Sequence, residues 1–256
     1  MQLKQKEWHD QWSIPFKEEE FLFDDWIYPN KLDDLRGKTV LDAGCGHGQH
    51  SERVAKYAML LYACDLNASD IARKRLEKYS NVTVVEADIA TMKLDIKFDI
   101  IYSIGVIHHT FDPAKTFKNL VKHLKSGGKI IIWVYSYEGN FLNRVVLEPL
   151  KRYLFLKLPK PVLFLIARLF MCVILILIHT VYRLPLRFLP FYEYFNNMRK
   201  LTFYRATFNI FDKLNAPTTN FLKKDDVISW FSSDVFDDVH ISPYVGVSWR
   251  ASGRLK

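Results

Sequence analysis

With 256 residues, 49% of them apolar, the chain is long enough for one large α/β domain, or one domain with an elaboration, and apolar enough for a full core. Its formal net charge of +8 points to nucleic acid, an anionic membrane surface or an acidic substrate as partner classes. Three widely spaced cysteines, Cys45, Cys64 and Cys172, exclude a disulfide framework and a zinc-site spacing, and fit a reducing cytoplasm.

Residues 1–36 read as a helical, mixed segment. Its aromatics (Trp8, Trp12, Phe16, Phe21, Phe23, Trp26 and Tyr28) either cover a ligand as a lid or pack on the core. The polar start has no apolar signal-peptide run, so a cytoplasmic protein is expected. From Lys38 the chain alternates. Strand one, TVLDA over 39–43, runs into Gly44, Gly46 and Gly48, and a helix follows over 48–57. Glycines at such a turn let the backbone approach a ligand, and a helix N-terminus presents unpaired N–H groups. A dinucleotide fingerprint would need glycine at 49, where this chain has Gln49. The pattern is D-x-G-x-G-x-G, from Asp42 to Gly48.

Strand two (MLLYACD) ends at Asp65, and Ser69 is the expected N-cap of the next helix. Strand three (VTVVEA) leads to Asp88, and strand four (FDIIYSI) leads into GVIHHTFDP. A helix is expected from Pro113 to Leu124, ended by the SGG of 126–128, with KIIIWVYS as strand five. Alternating βα units with apolar strands predict a parallel sheet covered on both faces.

The regular pattern stops near Tyr137. Residues 138–210 read as a hydrophobic, basic helical insert. Within it, Val162 to Ile178 holds one charge, Arg168, and is near the shortest length that spans a bilayer. Lys157, Lys160, Arg183 and Arg187 flank it. Three readings stay open: a cap over an apolar substrate, an interfacial helix giving membrane-surface association through 161–190, and a spanning helix. Residues 211–256 read as an amphipathic helix (FLKKDDVISWF) and two closing strands.

The glycine trio behind Asp42, the acid ending strand two, the acid after strand three, SIGVIHHTFDP and SGGKIIIW occur in one register. Together they resemble the class I methyltransferases that use S-adenosylmethionine (SAM), of the small-molecule type. The likeness covers about residues 36–136 well and the C-terminal elements more loosely. It implies a Rossmann-like methyltransferase fold of the α/β class: a mostly parallel seven-stranded sheet, helices on both faces, and a helical insert before the C-terminal strands. The chain then divides into a lid (1–36), a SAM-binding core (37–137), the insert (138–210) and a closing part of the core (211–256).

The resemblance also implies roles. Gly44, Gly46 and Gly48 would cradle the amino-acid part of SAM, and Asp42 would orient it. Asp65, with Leu66 beside it, would hold the ribose. Asp88 would read the adenine edge, with Ile89 on the ring, and Ile104 and Gly105 would line the methionine end. His108 and His109 follow strand four at the sheet edge where ligands bind in open α/β folds. One of them would deprotonate a hydroxyl acceptor, or the pair forms turn structure. Phe211, Asn215, Thr219 and Asn220 are either acceptor contacts or a polar loop capping a helix, and Arg199, Lys200 and Arg205 would meet either a phosphate on the acceptor or only water.

The expected reaction is methyl transfer to a small, lipid-linked or glycan-linked acceptor, at oxygen. An RNA methyltransferase, suggested by the charge, and a non-catalytic SAM-binding protein are the alternatives. Ser103-Ile104-Gly105-Val106 stands where methyltransferases of base or amide nitrogen carry N/D-P-P-Y/F, so no nucleic-acid partner is expected. No metal-ligand cluster is legible, and no metal is expected.

Overall fold

The computed structural model describes residues 5–15 and 19–256; Phe16 of the aromatic stripe lies outside them. Two helices come first, α1 (Lys6–Trp12) and α2 (Glu20–Ile27). The alternating region follows as β1 (Thr39–Ala43), α3 (Gln49–Val54), β2 (Leu60–Asp65), α4 (Ser69–Leu76), β3 (Val82–Glu86), β4 (Phe98–Ile104), α5 (Pro113–Val121) and β5 (Leu124–Tyr135). The insert carries α6 (Glu148–Tyr153), α7 (Lys160–His179), α8 (Tyr192–Met198) and α9 (Phe203–Asn215). The chain closes with α10 (Lys224–Trp230), β6 (Phe236–Tyr244) and β7 (Ser248–Leu255). Helix α9 runs through the expected insert boundary at 210, so insert and closing part are joined by one continuous helix.

The seven strands form one sheet in the order β3-β2-β1-β4-β5-β7-β6. Strands β1 to β5 are parallel, and the β6–β7 hairpin is antiparallel. The expected Rossmann-like architecture is therefore present. The order reverses between β1 and β4, which opens a crevice at their C-terminal ends.

Strand alternation assigns the two faces of the core. Leu41, Ile101, Ile130 and Ile132 meet Phe117 and Leu120 of α5 and Val227 of α10 on one face. Val40, Ile100, Tyr102 and Ile131 meet Phe23, Trp26 and Ile27 of α2 and Val54 of α3 on the other. Fully burying a side chain such as Phe23 or Ile27 contributes about 2 kcal/mol. Helix α2 is thus a wall of the core, and its Trp26 also lines a cavity beside the sheet.

Three local expectations are corrected. Ser69 is the first helical residue, not the cap. Asp65 Oδ1 accepts from the backbone N–H groups of Asn67 and Ala68, both at 2.8 Å, which turns the chain one residue earlier. Ser69 Oγ donates instead to Glu86 at 3.0 Å. Helix α5 ends at Val121, and the SGG lies inside β5, where Leu124 already pairs with Phe98. The register with β4 shifts there, and a Cβ on Gly128 would sit 3.0 Å from the Phe98 carbonyl oxygen. Glycine at 128 serves this bulge rather than a helix end.

Candidate functional site

The crevice beyond β1 and β4 holds a half-open cavity lined by Gly44, Asp65, Leu66, Asp88, Ile89, Gly105 and His109, with Trp8 and Trp12 over it. A second half-open cavity adjoins it, sharing Gly44, Gly105 and Val106 and adding Gly46 and Ile104. Gly44, Gly46, Asp65, Leu66, Asp88, Ile89, Ile104 and Gly105 of the expected cofactor residues therefore converge here.

The glycine turn fits a close backbone approach. Gly44 has φ +95°, and a Cβ on it would lie 2.4 Å from Val106 Cγ2. Gly46 has φ +53°, and its Cβ would lie 2.9 Å from the Trp12 indole. Gly48 starts α3, lines neither cavity, and lets α3 approach Leu76 of α4. Asp42 also lies outside both cavities. It sits beneath the turn and accepts from Ser51 Oγ at 2.6 Å and Tyr102 Oη at 2.8 Å. Burial pushes its carboxyl up to about 7, against the pull of those two donors. Asp65 Oδ2 accepts from the Gly46 N–H at 2.9 Å, which ties the end of β2 to the turn after β1. Its carboxyl is also raised by burial, opposed by three backbone donors.

Helix α1 is strapped across the opening. The Gln5 N–H donates to Asn67 Oδ1 at 2.8 Å, and His9 meets Asp70 at 3.2 Å, both beside β2. On the other side Gln11 Nε2 donates to Asp212 Oδ1 at 2.5 Å, and Asn215 Nδ2 donates to the Glu7 carbonyl at 3.0 Å. Trp8 lies 4.8 Å from His109, ring to ring, and Trp12 stacks on His47 at 5.1 Å.

The two histidines after β4 separate. His109 lines the first cavity, and its Nδ1 meets the Thr218 carbonyl at 2.6 Å. Nδ1 therefore carries the proton and Nε2 the lone pair. Burial holds the ring neutral by lowering its pKa, while Asp212 and the Thr218 carbonyl oppose that shift. His108 lines none of the cavities described here. It is fully buried between His109 and Tyr135, each at 4.1 Å, with neither ring nitrogen hydrogen-bonded. Burial, then the charges of His109 and Lys151, drive its pKa well below the ordinary value.

The second cavity continues under the insert, where Trp26, Trp133, Tyr135, Arg205, Phe208, Asn209 and Asp212 line it. Arg205, Phe208, Asn209 and Asp212 recur at helical spacing on one face of α9. Phe211, about 100° round the helix from Asp212, turns off the cavity into the packing with α7, which Phe208 also touches. Asn215 is buried against α1 and accepts from Lys160. Asn220 Nδ2 donates to the carbonyls of His108 and Thr110, holding the turn after β4. Of the four expected acceptor contacts only Thr219 lines a cavity, a small one it shares with His109, Tyr135 and Asp212. Its Oγ1 accepts from buried Lys151 at 3.0 Å. Of the three basic residues expected near the acceptor, only Arg205 reaches the cavity. Tyr135, Asn209 and Asp212 were missed, and the helical spacing of Arg205, Asn209 and Asp212 was the available signal.

Comparison with known proteins agrees with this geometry. Residues 41–132 match the family described as a methyltransferase domain. A ubiquinone biosynthesis O-methyltransferase from Coxiella burnetii is 36% identical over 100 residues, which is 38% of this chain and 43% of the relative. A tRNA U34 carboxymethyltransferase from Haemophilus influenzae is 30% identical over 135 residues, 50% of this chain and 41% of the relative. The matches thus cover less than half the length of these curated relatives. The crystal structure of the N-methyltransferase NodS from Bradyrhizobium japonicum superposes with a TM-score of 0.56 at 12% identity, over 98% of this chain and 97% of that one.

Proposed function

From a chain whose core is a class I, SAM-dependent methyltransferase domain, we propose that the protein moves the SAM methyl group to an oxygen of a small or lipid-linked acceptor held under the helical insert. The observation that carries this reading is the adjoining pair of cavities, one against the glycine turn and the other against α9, with His109 on the first and Tyr135 and Asp212 on the second.

When bound, SAM supplies a methyl group already activated on a sulfonium, so that alignment and a dry pocket make up most of what catalysis requires. The turn at Gly44 and Gly46 admits the amino-acid part against the backbone. Asp65 accepts from ribose hydroxyls, Asp88 and Ile89 take the adenine, and Ile104 and Gly105 face the methionine end. Asp42 acts from beneath, fixing the turn through Ser51. Trp8 and Trp12 exclude water from above. His109 Nε2 takes the proton of the acceptor hydroxyl as the oxygen attacks, because Nδ1 is held by Thr218 and burial keeps the ring neutral. His108 packs behind it as a positioning residue. Arg205 supplies positive charge for an anionic group on the acceptor.

The test is mass spectrometry of purified protein incubated with SAM and cell extract. A new product heavier by one CH2, the methyl having replaced the proton of an oxygen, is expected. A product methylated on nitrogen or carbon, or none, overturns the reading.

The likeness to a tRNA-modifying enzyme and the charge of +8 favour a second reading, transfer to RNA. A salt-sensitive gel shift with tRNA separates the two, because phosphate contacts weaken steeply as salt rises.

A further inference from the structure

Helix α7 has two faces of opposite fate. Leu163, Ala167, Met171 and Ile178 are buried at 0–1% exposure against α9 and its neighbours. Leu165, Leu169, Val173 and Ile176, at complementary spacing, are 56–65% exposed. Apolar exposure extends beyond the helix to Phe141, Tyr153 and Phe188, which are 61%, 77% and 82% exposed. An apolar surface of this extent marks an interaction face.

Charge identifies the occupant. From Pro149 to Tyr192 there are seven Lys and Arg and no Asp or Glu. Arg152, Lys157, Arg168, Arg183 and Arg187 are all exposed. Cations with apolar stems beside an apolar stripe match the boundary of an anionic bilayer, where the stripe enters the acyl region and the cations meet headgroups. The helix, 20 residues with hydropathy 2.8, is long and apolar enough to cross a membrane. Its packing opposes that. One face is packed on α9, whose cavity side carries Arg205 and Asp212, and a spanning position would carry those charges toward hydrocarbon.

We propose that the insert seats this face on an anionic lipid surface and that the acceptor enters from there. The entry side rests on the methyl-transfer reading above; the lipid surface does not. An open groove lined by Phe141, Leu142, Arg187, Phe191 and one acid, Glu193, lies between the insert and the β6–β7 turn. It shares Val245 and Val247 with a cavity beneath α8, which in turn shares Trp133 and Tyr135 with the acceptor cavity. These cavities, neighbours through shared wall residues, lead from the groove at Phe141 toward the acceptor cavity, the order in which a lipid-borne acceptor would enter with its polar head leading.

The experiment is flotation of the full chain with phosphatidylcholine vesicles, with and without phosphatidylglycerol, over a salt series. The protein is expected to float with the anionic vesicles and to release as salt rises. The triple variant Leu169→Glu, Val173→Glu, Ile176→Glu should stop floating while still binding SAM by calorimetry. If that variant does not fold, the pair Arg183→Glu, Arg187→Glu should weaken flotation on anionic vesicles alone. Wild-type protein that does not float, a stable dimer abolished by the triple variant, or a carbonate-resistant membrane pellet overturns the proposal. Flotation reads the surface and mass spectrometry reads the chemistry, so one can fail without the other.

Discussion

Gly46 lies directly beneath Trp12: a Cβ at residue 46 would come within 2.9 Å of the indole Cε2. The glycine turn and the helix strapped over it are thus fitted to each other through Trp12, which sits on Gly46 and stacks on His47. Gly46→Val should therefore displace α1 and close the space meant for the cofactor, on a backbone whose positive φ already disfavours a side chain. SAM affinity is expected to fall at least about tenfold, or about 1.4 kcal/mol, with the circular dichroism spectrum of a folded domain retained. Unchanged affinity by calorimetry would mean that the cofactor does not approach this turn.

Asp65 holds three backbone N–H groups, those of Gly46, Asn67 and Ala68. Asp65→Ala leaves those donors without their acceptor, at a cost of about 1–3 kcal/mol for each that water does not reach. It also removes the carboxylate proposed to hold the ribose. Binding of SAM and of its demethylated product should weaken together, and the melting temperature should drop. Loss of stability with intact binding would separate the loop from the ligand.

The two histidines should behave differently. His109→Ala is expected to lower turnover with little change in SAM affinity. A base must be neutral, so the wild-type rate should hold near neutrality and fall as pH drops through a His109 pKa that burial has lowered. His108→Phe keeps a ring between His109 and Tyr135 and should retain most activity. Equal loss in both variants, or a pH profile flat down to acid, contradicts the assignment.

Stability should depend on pH with a definite sign. His47 and His50, lowered to about 3 mainly by burial, take up protons below pH 6.5 in the unfolded chain but not in the folded one. Their contribution is complete above about 6.5 and is lost as pH falls toward 3. Asp42, raised to about 7, acts in reverse, being most favourable below 3.8 and losing its contribution as pH rises through 7. Each group contributes a slope of about 1.4 kcal/mol per pH unit in its window. His108 and His109 are lowered as well and Asp65 is raised, so histidines outnumber acids four to two. The melting temperature should rise from about pH 4 to about 6.5, and His50→Phe should flatten the rise. A melting temperature that falls steadily over that range would show that the acids dominate.

The two faces of α7 give a contrast within one helix. Leu163→Ala removes a side chain buried among Phe155, Phe208 and Phe211 and should cost about 2–5 kcal/mol. Val173→Ser, on the exposed face, should change stability by less than about 0.5 kcal/mol. Urea titrations check both. Equal losses would mean that the outer face is covered in the isolated protein.

Much of the site was legible because its determinants are local. The turn from Asp42 to Gly48 follows from residue types at fixed spacing, since positive φ is a property of single residues. The parallel order followed from apolar strands alternating with helices, and the crevice follows from that order. The misplaced residues failed for non-local reasons. Ser69 lost the cap to Asp65 because the turn before α4 folds on its own carboxylate. Phe211 and Asn215 have types that suit an acceptor pocket, yet a helix face is assigned by what packs on it, and α7 claims theirs.

By itself, the amino-acid sequence determined the β1 turn, the run of βα units, and the length and apolar character of α7, because each depends on neighbours a few residues apart. Only the tertiary structure decided which histidine faces the cavity, that α1 is bound to α9 through Gln11 and Asp212, 201 residues apart, and which stripe of α7 stays outside. Those outcomes depend on surfaces brought together over long separations, and a periodic pattern records that a helix has an apolar face without recording what covers it.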